Sequence, residues 1–197
     1  MSYFLDPSRE NAIFCADWLH TVDQGVGADF VGHLFAMILD EQPGTQAQRA
    51  SASWPEIAAY DDRHNVQDRL KEFSYANIGG KNANVPYKLR GCSVASARAL
   101  ILFAHQAAQR HLDDHVPKEA AAKAAAYHLR MCYHSLSESR VFRQEVLDNS
   151  SKAFALQCVA LRDCSDDPAW RIKPKMHLFL EMCPQNGSPN LFWTYRD

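Results

Sequence analysis

The chain lacks a strong charge of either sign. Its 21 lysines and arginines oppose 23 aspartates and glutamates, a formal net charge of -2 over 197 residues. No whole-molecule field draws it onto a polyphosphate, so any nucleic-acid contact must be local. Long hydrophobic runs are missing too: the longest apolar segment, "FVGHLFAMIL", is too short and too interrupted to span a bilayer. The opening "MSYFLDPSREN" has no basic start followed by an apolar core, which excludes a secretory signal in that stretch. Six cysteines, Cys15, Cys92, Cys132, Cys158, Cys164 and Cys183, include no CxxC and mostly fall in helix-like apolar patterns. They read as buried free thiols in a reducing compartment, cytosolic or nuclear. There is no GxSxG, and "IGGKN" lacks the spacing of a phosphate loop, so hydrolase and P-loop chemistry find no motif.

What is present is helical spacing. With 47% hydrophobic and 22% charged residues, the chain has the composition and length for one well-buried core. From Phe14 the apolar positions Phe14, Cys15, Trp18, Leu19, Val22 and Val26 fall three or four apart, which leaves Asp17, His20, Asp23 and Gln24 on the opposite stripe. A short strand through Ala12 to Ala16, ending near Asp17, is the competing reading. Ala28 to Asp40 continues as helix and closes at "QPG"; Thr45 caps another, which Pro55 must kink or restart. The stretch "NIGGKNANVPYKLRG", 77 to 91, is too rich in Gly, Asn and Pro for a regular element. Ser93 then caps a helix to about Asp114, and Pro117 opens the alanine-rich "KEAAAKAAAYHLRMCYHSL". A further helix runs from about Glu138 to Arg162, with a possible break at "DNSS".

Three groups of residues carry chemistry. Asp17, His20 and Asp23 could bind a divalent cation or exchange protons, since oxygen ligands suit Mg2+ and Mn2+; the plainer reading is a solvated helix stripe. His111 with His115, and His128 with Cys132, stand at i, i+4 but lack the neighbourhood of a zinc signature. Near the end, Arg171, Lys173, Lys175, His177 and Arg196 lie among Trp170, Phe179, Phe192, Trp193 and Tyr195. Cations interleaved with aromatics suit phosphate contacts and base stacking, or else form a solvated rim on an aromatic core.

The stretches "FCADWLHTVDQGVGADFVGHLF", "AAAKAAAYHL" and "WRIKPKMHLFLEM" with "NLFWTYRD" resemble an uncharacterised many-copy, transposon-derived family of dinoflagellate genomes. More distantly, Asp17 and His20, then Pro174, Met176, His177 and Leu178, then Phe192 and Trp193 resemble the motifs of the C-terminal half of CACTA-type (En/Spm-like) transposases. The resemblance implies an RNase H-like lineage in which carboxylates hold Mg2+ or Mn2+ for cleavage and transfer of DNA strands. Asp17 would be the middle carboxylate, Asp197 would stand at or just before the last acidic position, and residues 45 to 166 would be a helical insertion. Because earlier strands do not precede Asp6, the resemblance also implies a piece of a larger protein that is inactive by itself.

These readings predict a mainly helical single domain over 1 to 197, a bundle of about six helices with at most one or two short terminal strands. The expected site residues are Asp17, His20 and Asp197 as catalytic groups, Asp17 and Asp23 as metal ligands, and Lys173, Lys175, His177 and Arg196 as holders of DNA phosphate. The alternative is a non-catalytic helical module that binds protein or nucleic acid, with the opening motif as a buried polar contact.

Overall fold

The computed structural model describes residues 17–79, 86–136, 141–164 and 170–184, together with a two-residue antiparallel pairing of β1 (Phe4–Leu5) with β2 (Phe14–Cys15). Among the described residues the architecture is a helical bundle, 73% helical. A π-helical segment, Leu19–Val26, leads directly into α1 (Gly27–Asp40), followed by α2 (Gln46–Arg63), α3 (Tyr75–Ile78), α4 (Val94–His111), α5 (Pro117–Ser135), α6 (Gln144–Asp163) and α7 (Pro174–Met182). Among the described residues, no helix is long and apolar enough to cross a membrane.

Helix α1 is buried nearly all round, with Phe30, Val31, Leu34, Phe35, Ile38 and Leu39 in the core. That is how an apolar helix behaves at the centre of a bundle. It packs against α4, α2, α3 and the π segment, while α5 lies between α4 and α6, and α7 covers the π segment and α6. One contiguous apolar cluster draws on all of these helices, so α2 to α6 share a core with the segments on either side. Aromatic rings knit it: Phe154 of α6 stands edge-on to Phe30 of α1 (centroids 5.3 Å) and to Phe179 of α7 (6.0 Å).

Helix starts follow local chemistry. Thr45 and Gln48 form a reciprocal capping box, with Thr45 N–H donating to Gln48 Oε1 at 2.8 Å. Ser93 Oγ accepts the Ser96 N–H at 3.1 Å, and Pro117 occupies the first turn of α5. Neither a restart at Pro55 nor the break expected at "DNSS" occurs. Helix α2 continues through Pro55, an exposed position where water can serve the carbonyl of exposed Ser51 that the ring leaves without a donor. Helix α6 runs unbroken through "DNSS", its Ser151 hydroxyl folding back onto the Asp148 carbonyl at 2.8 Å.

Residues 86–90 are tied down on both sides. Lys88 and Arg90 N–H groups donate to the carbonyls of Ile78 and Asn77, and Leu89 N–H donates to the Ala28 carbonyl at 2.9 Å. This close passage over α1 requires Gly32, since a Cβ there would lie 2.4 to 2.7 Å from the backbone of Lys88.

Candidate functional site

The N-terminal helix begins at a capping carboxylate. Asp17 accepts the His20 backbone N–H at 2.7 Å and the His20 ring Nδ1 at 2.8 and 2.9 Å. A short acidic side chain stabilises a helix start in this way. A carboxylate only accepts, so the ring Nδ1–H is the donor in this contact. The His20 side chain is 43% exposed and that of Asp17 12%.

Past His20 the helix winds with the wider π repeat and breaks at Gly25, whose φ of -115° and ψ of -109° are not helical. An α-helical stripe therefore does not persist here. Asp23, expected on a solvated face beside Asp17 and His20, is 0% exposed. It turns inward, where Arg98 Nη2 of α4 donates to Oδ2 at 2.7 Å and the Tyr133 hydroxyl of α5 donates to Oδ1. Burial raises the Asp23 pKa above its ordinary value, and the donors Arg98 and Tyr133 pull the other way. Trp18 closes the pocket edge-on to Tyr133 (5.5 Å) and Phe179 (5.9 Å).

Three lysines gather on the other side of the kink. Lys175 Nζ donates to the His20 carbonyl at 2.7 Å, and Lys88 Nζ donates to the Gln24 carbonyl at 2.7 Å. Lys173 Nζ pairs with Asp29 at 2.9 Å, and Lys88 stands 3.8 Å from the same carboxylate. Burial lowers the Lys88 pKa; Asp29 opposes that shift, while Lys175, Lys173 and Arg90 add to it. Exposed Arg90 and Arg171 flank the cluster in sequence. A narrow cleft of about 40 Å³ beside Asp29, His33, Trp170 and Lys173 has room for a few waters and not for a metabolite.

The predicted site residues therefore divide. Asp17 and His20 meet each other, and Lys175 reaches the backbone of His20, so the opening motif and α7 do come together. Asp23 is held apart in the α4–α5 interior. Both of its oxygens are occupied by Arg98 and Tyr133, and the oxygens of Asp17 are occupied by His20, so the two carboxylates do not present a joint donor set for Mg2+ or Mn2+. Among the described residues, no group of three or more His, Cys, Asp or Glu is arranged to hold a metal ion. His177 is exposed on α7. Asp197 and Arg196 lie outside the described residues, as do Phe192, Trp193 and Tyr195. Trp170 and Phe179 are core, not a stacking platform.

The other motifs resolve in the same manner. His111 pairs with Glu56 at 3.2 Å, and Cys132 is fully buried. Burial pushes the Cys92 thiol up to about 11 and that of Cys183 up to about 12, so neither is a ready nucleophile. Sequence reasoning missed Lys88 and Arg98 as partners, because each joins the site from a distant helix or loop, and missed Asp29, in the first turn of α1, because its lysines do. One signal was available: an isolated glycine such as Gly32 inside an apolar helix marks a close backbone approach.

No protein-family model, curated protein or solved structure matches the chain. What the molecule does must be argued from its geometry and charge.

Proposed function

We propose that this chain is a non-catalytic helical module of transposon-derived lineage that binds the phosphate backbone of nucleic acid through the face formed by Lys88, Lys173 and Lys175. The observation that carries the reading is the meeting of Lys88 with Lys173 and Lys175, about 85 residues away in the chain: Lys88 and Lys173 share the Asp29 carboxylate, and Lys175 lies close enough to lower the Lys88 pKa. Phosphate contacts supply sequence-independent affinity and release counterions. The buried state of Trp170 and Phe179 favours duplex over single strands, since a single-strand groove stacks bases on exposed aromatics.

Fluorescence anisotropy with a short labelled duplex tests this. Binding should weaken linearly in log–log salt plots with a slope of about -2 to -4, each phosphate contact contributing about -0.9. Lys173→Glu with Lys175→Glu should cost about tenfold or more. An unchanged affinity in that double variant would sink the reading. A Mn2+ titration followed by thermal unfolding addresses the metal-dependent cleavage of the inferred ancestor: the proposal expects no shift. A Mn2+ shift lost in Asp17→Ala would restore the cleaving reading.

A further inference from the structure

We infer that the kinked segment is a seat for one phosphate group, with Lys88 and Lys175 as paired donors and Gly25 as the residue that lets them sit there. This rests on the basic-face reading and narrows it from a charged patch to a built site.

An ammonium has three N–H donors. Lys88 and Lys175 each give one to a carbonyl of the kinked segment, Gln24 and His20 respectively, and so retain two apiece. Those carbonyls belong to residues four apart on the kinked π-helical segment. The two ammonium groups anchored on them are near enough that Lys175 depresses the Lys88 pKa, so one phosphate seated between them would receive donors from both. The carbonyl anchors also hold both long side chains in one rotamer, so the ordering that usually opposes ligand binding by lysine has already occurred. Lys173 adds a third cation, and Asp29 pairs with it and with Lys88.

The backbone is cut to fit this arrangement at two glycines. A Cβ on Gly25 would come within 2.8 Å of Lys175 Cδ and 2.9 Å of the His20 carbonyl oxygen, displacing both the lysine stem and its anchor. Gly32 brings the Lys88 backbone against α1. A diffuse basic patch would be indifferent to a methyl group at position 25; a seat would not.

The test uses inorganic phosphate as the probe, read as the rise in Tm at millimolar phosphate over chloride at matched ionic strength. The wild type should show a phosphate-specific rise. Lys88→Met and Lys175→Met should abolish it, whereas Lys71→Met, which removes the same charge from an exposed position elsewhere, should keep it. Gly25→Ala should abolish it with net charge unchanged. The inference is overturned by no phosphate-specific rise in the wild type, by equal losses in Lys88→Met and Lys71→Met, or by a folded Gly25→Ala that retains the rise. If circular dichroism shows that Gly25→Ala does not fold, the Lys88→Met and Lys71→Met pair decides. Duplex binding that survives Lys173→Glu with Lys175→Glu removes the underlying reading. Duplex binding that needs those lysines, in a protein without the phosphate rise, removes the seat alone.

Discussion

Helices α4, α5 and α6 hold buried alanines and serines, whereas the π-helical segment adds charged and polar contacts to its apolar ones. In the first region Ala104, Ala107, Ala108, Ala122, Ala125, Ala126 and Ser151 are all essentially without solvent contact. Small side chains let helices approach closely, and cohesion there comes from dense packing that neither salt nor pH alters much. In the second region a buried carboxylate is held by a buried phenol and a half-exposed guanidinium, and lysines hold two backbone carbonyls. Such polar interiors contribute little net stability when intact and cost a great deal when half-dismantled. The two regions should therefore answer differently to perturbation, and the places where they touch should be the most sensitive.

Phe154 is such a place. It sits fully buried on α6 between Phe30 and Phe179, joining the small-residue region to α1 and α7. Phe154→Ala should cost about 3–5 kcal/mol, the range for deleting a buried ring, measured by urea unfolding. A cost under about 1 kcal/mol would mean that the two regions do not share one packed core.

The next largest effect separates charge from packing. Arg98→Met leaves the Asp23 carboxylate buried with only neutral donors and should cost about 3 kcal/mol. Asp23→Asn keeps the shape and leaves a guanidinium that is 38% exposed and so remains hydrated, so the loss should be about 1 kcal/mol. Combining the two should recover part of the Arg98→Met loss. Equal costs for the single substitutions would show that the pair acts by size, as the alanine contacts do.

These comparisons also explain what could be read from the chain in advance. The helix starts at Thr45, Ser93 and Pro117 are set by residues within one turn, so spacing and capping chemistry reveal them. The α5 helix declares itself by composition. Asp23 was misplaced because its fate depends on Arg98 and Tyr133, 75 and 110 positions away, and on a π repeat that no 3.6-residue pattern anticipates. Lys173 and Lys175 were legible as a cationic stretch, but their meeting with Lys88 over α1 follows from the passage that Gly32 permits. Gly32→Ala sharpens this point. It should push residues 86–90 off α1 and cost about 1–3 kcal/mol, as overpacking does, with a loss of phosphate response that Ala122→Leu, equally overpacked on α5, would not cause.

The smallest expected effect is the response to pH, and its sign differs between the regions. Burial lowers the pKa of His105 and His128 from 6.5, with Arg130 adding to the shift at His105. The folded state thus refuses protons that the unfolded chain accepts, so this contribution is intact above the unfolded value and is lost as pH falls through it. Asp23 runs the other way. Burial raises its folded pKa above 3.8, so the folded state keeps a proton that the unfolded chain releases, a contribution present below 3.8 and lost as pH rises through the folded value. Urea midpoints measured from pH 7 down to pH 5 should fall less in His105→Gln with His128→Gln than in the wild type. Carried on toward pH 3.8, the wild type should gain relative to Asp23→Asn, which lacks the raised carboxyl. A wild-type profile that neither variant changes would place the pH response outside both regions and leave burial without a role in it.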